Sequence, residues 1–255
     1  MKIGLFDSGV GGLTVLKALR RTYQEVDFVY LGDTARVPYG NKSAQTVIRY
    51  SLECAEFLLN EGIDLLVVAC NTASSYALEV LKGSLPIPVF GVIEPGVKRA
   101  LENTKGKVGV IGTKATISSC AYKNLLEING VEVHQRACPL FVPLVEEGLL
   151  EGSIAEAVVE YYLKDLKEKG IDTLILGCTH YPLLKPLIER FMGPEVKVID
   201  SAQAIALEIE PFVKREGSSR LDLYFTDISP SLQSLVELIL GEVKEPRLVS
   251  LPCKV

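Results

Sequence analysis

Two cysteines, Cys70 and Cys178, each follow a short apolar run and precede a segment with helical periodicity. A helix N-terminus lowers the pKa of a thiol from its free value near 8.5. Its contribution is at most ~2 kcal/mol, or roughly 1.5 pKa units, so we expect thiols that titrate near pH 7. Two such thiols across one cleft do not both ionise readily, because the first negative charge opposes the second. The predicted pair is therefore one thiolate opposite one thiol.

A thiolate and a thiol on opposite sides of a carbon atom can invert that carbon. The thiolate removes a proton from one face, and the thiol returns another proton to the opposite face. The forward and reverse reactions need the same two groups with exchanged roles, which favours a symmetric arrangement. Taken singly, each cysteine is also explained as a small buried hydrophobe. The matched pair favours a role in proton transfer.

The segments that must position these cysteines alternate between strand and helix patterns. This alternation is typical of an α/β fold with a mostly parallel sheet. The predicted strands fall into two series, Lys2–Phe6, Val26–Leu31, Asp64–Ala69 and Pro88–Ile93, then Lys107–Ile111, Val131–Arg136, Asp172–Leu176 and Val196–Ile199. A strand at Leu221–Thr226, a helix from about Pro230 to Leu240 and a short run at Arg247–Leu251 follow.

The two series of strands repeat at near-constant offsets. Lys2 matches Lys107 at an offset of 105 residues, and Asp64 matches Asp172 at an offset of 108. Each of these aspartates stands six residues before one of the two cysteines. Chance similarity of strand-helix units explains shared Val and Leu better than it explains a shared Asp and Cys. We therefore expect two similar, doubly wound, mostly parallel-sheet lobes related by pseudo-two-fold duplication, with the active site between them.

The lobe boundaries follow from the turn-forming segments between the two series. The stretch Glu94-Pro95-Gly96 and the polar residues 102–107 suggest that the first half ends near Val97. The tail has no third copy to join, so we expect it to pack onto the first half. The predicted division is 1–97 with 212–255 for the first α/β lobe and 98–211 for the second.

A glycine-rich segment, residues 7–12, follows the first predicted strand. Ligands bind beyond the carboxyl ends of the strands in open parallel sheets. Gly9 and Gly11, with Asp33 after the next strand, partly match a dinucleotide fingerprint, but Thr14 stands where its third glycine belongs. A tight strand-to-helix turn is the alternative interpretation. A non-catalytic sensor of anions or nucleotides, built on this loop, is the hypothesis from a different class of function.

Composition limits the partners. Because a domain has about 150 residues on average, the 255 residues fit one large domain or two small ones. Lys and Arg number 27 against 32 Asp and Glu, for a net charge of −5, and they are scattered, so we expect no nucleic acid partner. The longest apolar runs are far shorter than the roughly 18 residues of a membrane span. Asp7 interrupts the first run too early for a secretory signal, so we expect no membrane association and a cytoplasmic location.

The cysteines and histidines bear on redox state and metals. The six cysteines lack the close spacing of a disulfide framework, which favours reduced thiols. They are Cys54, Cys70, Cys120, Cys138, Cys178 and Cys253. Only His134 and His180 supply imidazole. A tetrahedral zinc site would need an unusual ligand set, and we expect no metal.

Four motifs, in this order, resemble those of a known family. They are Phe6-Asp7-Ser8-Gly9-Val10-Gly11-Gly12, Pro38-Tyr39-Gly40, Ala69-Cys70-Asn71-Thr72-Ala73 and Gly177-Cys178-Thr179-His180-Tyr181-Pro182. With them the chain resembles, over essentially its whole length, the cofactor-independent glutamate racemases of the aspartate/glutamate racemase superfamily. No position of these motifs departs from the family pattern.

The resemblance implies an activity, a set of residues and a partner. It implies that Cys70 and Cys178 interconvert L- and D-glutamate without a cofactor, supplying D-glutamate for peptidoglycan, and that the enzyme is a homodimer. It implies that Asp7, His180 and Glu147 assist the thiols. It places around the substrate Asp7, Ser8, Tyr39, Gly40, Asn71, Thr72, Thr179 and His180, with Thr113, which matches Ser8 at the offset of 105, as a further member.

The residues alone leave some of these assignments open. Without the resemblance, Glu147 is explained as a solvated acid and Tyr39 as a loop aromatic. A thiol pair fixes the reaction and not the length of the substrate side chain. A racemase of aspartate or of another small amino acid is therefore the nearer alternative.

Overall fold

The computed structural model describes residues 1–251 of the chain; Cys253 and the end of the predicted first lobe, within 252–255, lie outside the described residues. The strands are β1 (Lys2–Asp7), β2 (Asp27–Gly32), β3 (Leu65–Val68), β4 (Val89–Gly91), β5 (Lys107–Gly112), β6 (Glu132–Ala137), β7 (Thr173–Gly177), β8 (Lys197–Asp200), β9 (Leu221–Phe225) and β10 (Arg247–Leu248). Each predicted strand is present, with its ends shifted by no more than three residues.

Helices follow most of these strands. They are α1 (Leu13–Thr22), α2 (Ala44–Asn60), α3 (Asn71–Ser84), α4 (Ile93–Leu101), α5 (Lys114–Ser118), α6 (Ala121–Ile128), α7 (Phe141–Glu146), α8 (Ser153–Glu168), α9 (Lys185–Met192), α10 (Ser201–Ile209) and α11 (Leu232–Leu240). Short 3₁₀ turns occupy Thr34–Arg36, Tyr39–Asn41, Tyr181–Leu184 and Glu210–Phe212. Among residues 1–251, none of the helices has both the length and the apolar character that crossing a bilayer requires.

The strands form two parallel sheets with a shared order. The first sheet runs β10-β9-β2-β1-β3-β4 and the second runs β6-β5-β7-β8. The inner order of the first sheet, β2-β1-β3-β4, is the order of the second. The predicted α/β class with two similar, doubly wound lobes is confirmed. β9 pairs with β2 and so extends only the first sheet.

The inner strands β3 and β7 consist mostly of apolar residues because helices cover both faces of each sheet. β3 and β7 are buried at every position. α1 and α11 pack on one face of the first sheet, and α2 and α3 pack on the other. Polar side chains collect at the carboxyl ends of the strands, where the ends of the two sheets meet.

The two halves exchange one helix each. Ile93, Val97 and Ala100 of α4 follow the last strand of the first series, yet they pack with β5 and α6 of the second half. Ile205 and Ile209 of α10 follow the last strand of the second series, yet they pack with α1 and the first sheet. This exchange ties the halves together. The division of the lobes at residues 97 and 211 stays a prediction.

Candidate active site

One small cavity lies where β1, β3, β5 and β7 end, and both Cys70 and Cys178 line it. It encloses about 20 Å³, which is room for one water molecule. Its walls are Ser8, Val37, Pro38, Tyr39, Gly40, Cys70, Asn71, Thr72, Thr113, Val142, Cys178, Thr179 and His180. The structure thus brings together every predicted site residue except Asp7 and Glu147 around a single space.

Cys70 occupies the N-cap of α3. Its Sγ accepts a hydrogen bond from the Ala73 N–H at 3.4 Å, and it lies 3.8 Å from Oγ of Ser8. Burial, and after it the negative charge of Asp7, raise the pKa of the Cys70 thiol to about 12, although the Ala73 N–H and Ser8 lower it. The expectation of a thiol near pH 7 is wrong for Cys70, because desolvation outweighs the helix terminus.

Cys178 follows β7 directly, but a 3₁₀ turn separates it from the next α-helix. Pro182 lies in that turn, and α9 begins only at Lys185. The expected helix immediately after this cysteine is therefore absent. The polar neighbour of Cys178 is instead His180, whose Nδ1 lies 3.9 Å from the sulfur.

His180 is buried, and each of its two ring nitrogens has a polar neighbour. Its Nε2 lies 3.3 Å from Oε1 of Glu146, an ion-pair distance without the direction of a hydrogen bond. Burial opposes the charged imidazole, but Cys178, Glu146 and Asp7 together raise the pKa of His180 to about 10. An imidazolium therefore stands beside the Cys178 sulfur at neutral pH.

Asp7 lies behind the cavity wall, fully buried at the end of β1. Its carboxylate accepts hydrogen bonds from the Gly9 N–H at 2.9 Å and from the Thr179 hydroxyl at 3.2 Å. These contacts join the end of β1 in the first half to the segment after β7 in the second. Asp7 therefore acts on Cys70 through its charge, and not as part of the cavity surface.

The glycine loop packs against protein and leaves no open cradle. A Cβ at Gly11 would lie 2.5 Å from Nδ1 of His180, so only glycine allows this close approach. The Thr14 hydroxyl donates to the carbonyls of Gly11 and Thr179 at 2.8 and 3.2 Å. These contacts favour the interpretation of the segment as a tight turn over the hypothesis of a nucleotide-binding loop.

Tyr39 lines the cavity, but its hydroxyl bonds to a residue outside the cavity wall. Its hydroxyl donates to Asp33, which also accepts from Nε of Arg36 at 2.7 Å and from the Thr226 hydroxyl at 2.9 Å. The next residue, Gly40, lines the cavity and would place a Cβ 2.6 Å from Cβ of Thr113. The hydroxyl of Tyr39 is therefore engaged in holding this loop, and sequence reasoning missed its partners.

The segment after Cys70 is linked to the second half. The Thr72 hydroxyl lies 2.9 Å from that of Thr113 and 3.2 Å from that of Thr116. Asn71 is buried beside the cavity, and among residues 1–251 nothing accepts a hydrogen bond from its Nδ2. Both residues thus lie where the two halves meet, and their role in binding a ligand stays a prediction.

The acid nearest to His180 is Glu146. The adjacent residue, Glu147, was predicted for this role from the sequence. Glu147 caps the C-terminus of α7 and is exposed, whereas Glu146 ends the helix on the side of His180. Adjacent helical residues point about 100° apart, so only one of the two can face the site. The apolar positions Phe141, Leu144 and Val145, which fix the buried face of α7, are the signal that could have separated them.

Comparison with known proteins assigns this arrangement to a family. The family model described as Asp/Glu/Hydantoin racemase matches residues 3–209. The glutamate racemase of Aquifex pyrophilus is 64% identical over 242 residues, 94% of each chain, and that of Aquifex aeolicus is 64% identical over 251 residues, 98% of each chain. The solved glutamate racemase of Francisella tularensis in complex with D-glutamate superposes with a TM-score of 0.90 at 36% identity, covering 98% of this chain and 97% of that one.

The match covers most of the chain, and the identity to the Aquifex proteins extends over nearly all of it. The fold, with its two parallel sheets around one cavity, agrees with the solved relative. The chain therefore belongs to the Asp/Glu/Hydantoin racemase family and is an amino-acid racemase.

Proposed function

We propose that this protein interconverts L- and D-glutamate by moving protons between the substrate α-carbon and the thiols of Cys70 and Cys178. The observation that carries the proposal is that both sulfurs line one cavity between the two sheets. The names of the relatives, at up to 64% identity, support glutamate as the substrate. The complex of the Francisella tularensis protein with D-glutamate supports the same choice.

The proposed reaction needs no oxidation or reduction. A thiolate on one wall takes the α-hydrogen as a proton and becomes a thiol, and the electron pair of the broken C–H bond stays on the α-carbon. The thiol on the other wall gives its proton to the opposite face of that carbon and becomes a thiolate. The product leaves with inverted configuration, and the two sulfurs have exchanged their protonation states.

The charges around the sulfurs favour one starting state. Burial and the charge of Asp7 raise the pKa of Cys70, while the His180 ring, whose pKa is about 10, lies 3.9 Å from the sulfur of Cys178. In the substrate-free protein the proposed base is therefore Cys178 and the proposed acid is Cys70. Asp7 and His180 assist the two thiols without taking part in the C–H bond cleavage itself.

The proposed binding groups are neutral donors. Of the described residues that line the cavity, none is Lys or Arg. The side chains of Ser8 and Asn71 and the free N–H groups at the start of α3 can donate to the substrate carboxylates, and Thr179 lines the cavity with its hydroxyl donating to Asp7. Gly40 and Thr72 complete the proposed contacts, and Tyr39 contributes through its position in the loop.

The cavity must widen to admit an amino acid. Its volume of about 20 Å³ holds a single water molecule, which is far smaller than glutamate. We infer that the walls separate when substrate enters and close around it afterwards. Closure excludes water, which strengthens the electrostatic effect of His180 on the nearby sulfur.

The decisive experiment compares three serine variants in deuterated water. We expect Cys70→Ser and Cys178→Ser each to lower racemisation of glutamate by at least about 10²-fold, the scale of a lost general acid or base. Cys138→Ser is the matched control, because Cys138 is equally buried but does not line the cavity, and it should retain activity. Full racemisation in either cavity variant would contradict the two-thiol proposal.

Substrate length is tested separately. Circular dichroism followed in parallel with glutamate and aspartate distinguishes the two racemases, and faster turnover of aspartate would replace glutamate in the proposal. Tight nucleotide binding with no α-hydrogen exchange for any amino acid would favour the sensor hypothesis. Delivery of D-glutamate to peptidoglycan synthesis, assembly as a homodimer and a cytoplasmic location stay predictions that rest on the resemblance.

A further inference from the structure

Tyr122 of α6 lies fully buried where the exchanged helices cross. A Cβ at Gly177, the residue before Cys178, would lie 3.2 Å from its ring, and one at Gly96 of α4 would lie 3.5 Å from it. The backbone at both positions therefore lies close to the ring, and at Gly177 a side chain would crowd it. Tyr122 is thus packed between Gly96 and Gly177, and its hydroxyl reaches Asn71 of the first half.

The hydroxyl of Tyr122 contacts the residue next to Cys70. It donates a hydrogen bond to Oδ1 of Asn71 at 2.6 Å, and the Ser201 hydroxyl at the start of α10 also interacts with it. Burial, together with the nearby Cys178, raises the pKa of Tyr122. The phenol therefore keeps its proton and acts as a donor, which commits the oxygen of the Asn71 amide to it.

The other end of that amide is unused. Nδ2 of Asn71 is buried, and no described group accepts from it, although buried polar atoms in folded proteins are almost always paired. Asn71 lines the cavity beside Cys70. A carboxylate of a bound amino acid is an acceptor only, so it is the kind of group that this vacant donor fits.

We propose that Tyr122 is a positioning residue: its hydroxyl fixes the Asn71 amide so that Nδ2 donates to a carboxylate of the bound amino acid. This inference rests on the proposed function. An amide side chain has two nearly equivalent orientations about its last torsion. Without the tyrosine hydroxyl, Asn71 can also present its oxygen to the carboxylate, and that orientation repels an anion.

The first test replaces Tyr122 by Phe, which keeps the ring and removes the hydroxyl. We expect the KM for glutamate to rise about three- to tenfold, the scale of one hydrogen bond, with kcat unchanged, because the lost interaction holds the substrate and not the reacting carbon. Tyr23→Phe is the matched control. Tyr23 is also buried and donates to a backbone carbonyl, that of Ala206, away from the cavity. It should leave KM unchanged.

The second test asks whether Tyr122 acts through Asn71. In an Asn71→Ala background, adding Tyr122→Phe should change kcat/KM by less than about twofold, because the amide that it positions is already gone. A loss of equal size in both backgrounds would assign Tyr122 a merely structural role and overturn the inference. Melting temperatures of all four proteins show whether a variant has lost its fold.

A binding measurement separates this inference from the proposed function. Calorimetric titration of D-glutamate into Cys70→Ser protein, with and without Tyr122→Phe, reports affinity in the absence of turnover. Equal affinities would overturn the role of Tyr122 and leave the racemase proposal standing. If the unaltered chain neither binds nor racemises glutamate, the proposed function fails, and the role of Tyr122 fails with it.

Discussion

The two halves of the molecule share a backbone plan but differ in charge. Their strands have the same order, and Cys70 and Cys178 occupy equivalent places after the third strand of each series. At the end of the first strand, however, the first half has Asp7 where the second has Gly112. Two residues after the cysteine, the second half has His180 where the first has Thr72.

These differences place an anion, Asp7, in the first half and a cation, His180, in the second half of a duplicated fold. The anion beside Cys70 adds to burial in raising the pKa of that thiol. Beside Cys178, in contrast, stands the His180 ring, 3.9 Å from the sulfur and with a pKa raised to about 10. A reversible racemisation needs the two sulfurs at equivalent positions on opposite sides of the substrate. A resting state in which only one of the two sulfurs is protonated needs different surroundings for each sulfur. Duplication accounts for the first requirement, and divergence at a few positions accounts for the second.

Of the changes that test this comparison, the loss of the His180 imidazolium should have the largest effect on kcat. We expect His180→Asn to lower kcat for racemisation by about 10²-fold, because a buried imidazolium stabilises the negative charge that develops during proton transfer. His134→Asn is the matched control: it alters the only other histidine of the sequence, which lies on β6 and pairs with exposed Glu132. A kcat within twofold of the unaltered protein for His180→Asn would remove the proposed asymmetry.

The same cation should give stability a distinct dependence on pH. The pKa of His180 is raised from 6.5 to about 10 by Cys178 and Glu146 against the effect of burial. A group whose pKa is raised on folding stabilises the folded state fully below its unfolded value and loses this effect as pH rises through the folded value. Urea unfolding should therefore show a larger gap between the unaltered protein and His180→Asn at pH 6 than at pH 10.

The close contact of the halves can be tested at Gly11. Ala at this position places a Cβ against Thr179 and His180, so we expect Gly11→Ala to destabilise folding by about 1–3 kcal/mol, the scale of overpacking. Gly83→Ala is the control, because nothing lies within 4 Å of a Cβ at this helical position, and it should stabilise by about 0.5–1 kcal/mol. Equal unfolding free energies for the two variants would show that the loop is free to move.

Much of the fold was predictable because local pattern and burial agree. Strands such as β3 and β7 are covered on both faces, so their apolar runs mark them without knowledge of the tertiary structure. The offsets of 105 and 108 residues predicted the duplication. The exchange of α4 and α10 was not predictable, because an amphipathic helix shows which face is buried but not which sheet buries it.

The residues of the candidate site were easier to predict from the sequence than their pKa values. Motifs placed Cys70 and Cys178 at strand ends, and the structure brings them to one cavity. The predicted thiol pKa near 7 was wrong for Cys70, since it counted the helix terminus and not the burial. Tyr122 bonds to Asn71, and Asp33 bonds to Thr226; both contacts join residues distant in sequence, which no spacing within a motif reveals.

The smallest predicted effect concerns the two adjacent acids of α7. Glu146 supports the charge on His180, so Glu146→Gln should lower the pKa of His180 and reduce kcat several-fold, as expected for a partly exposed ion pair worth about 1 kcal/mol. Glu147→Gln should leave both unchanged, because Glu147 is exposed.

The pKa of His180 is followed by NMR of its ring, and kcat by circular dichroism, in both variants. If Glu147→Gln has the larger effect, the helix must turn when substrate enters, and the acid named from the resemblance would then face the histidine. If neither variant changes the pKa, the charge on His180 depends on the Cys178 sulfur and Asp7 alone. The difference in charge between the halves would then come entirely from residues at the ends of their strands.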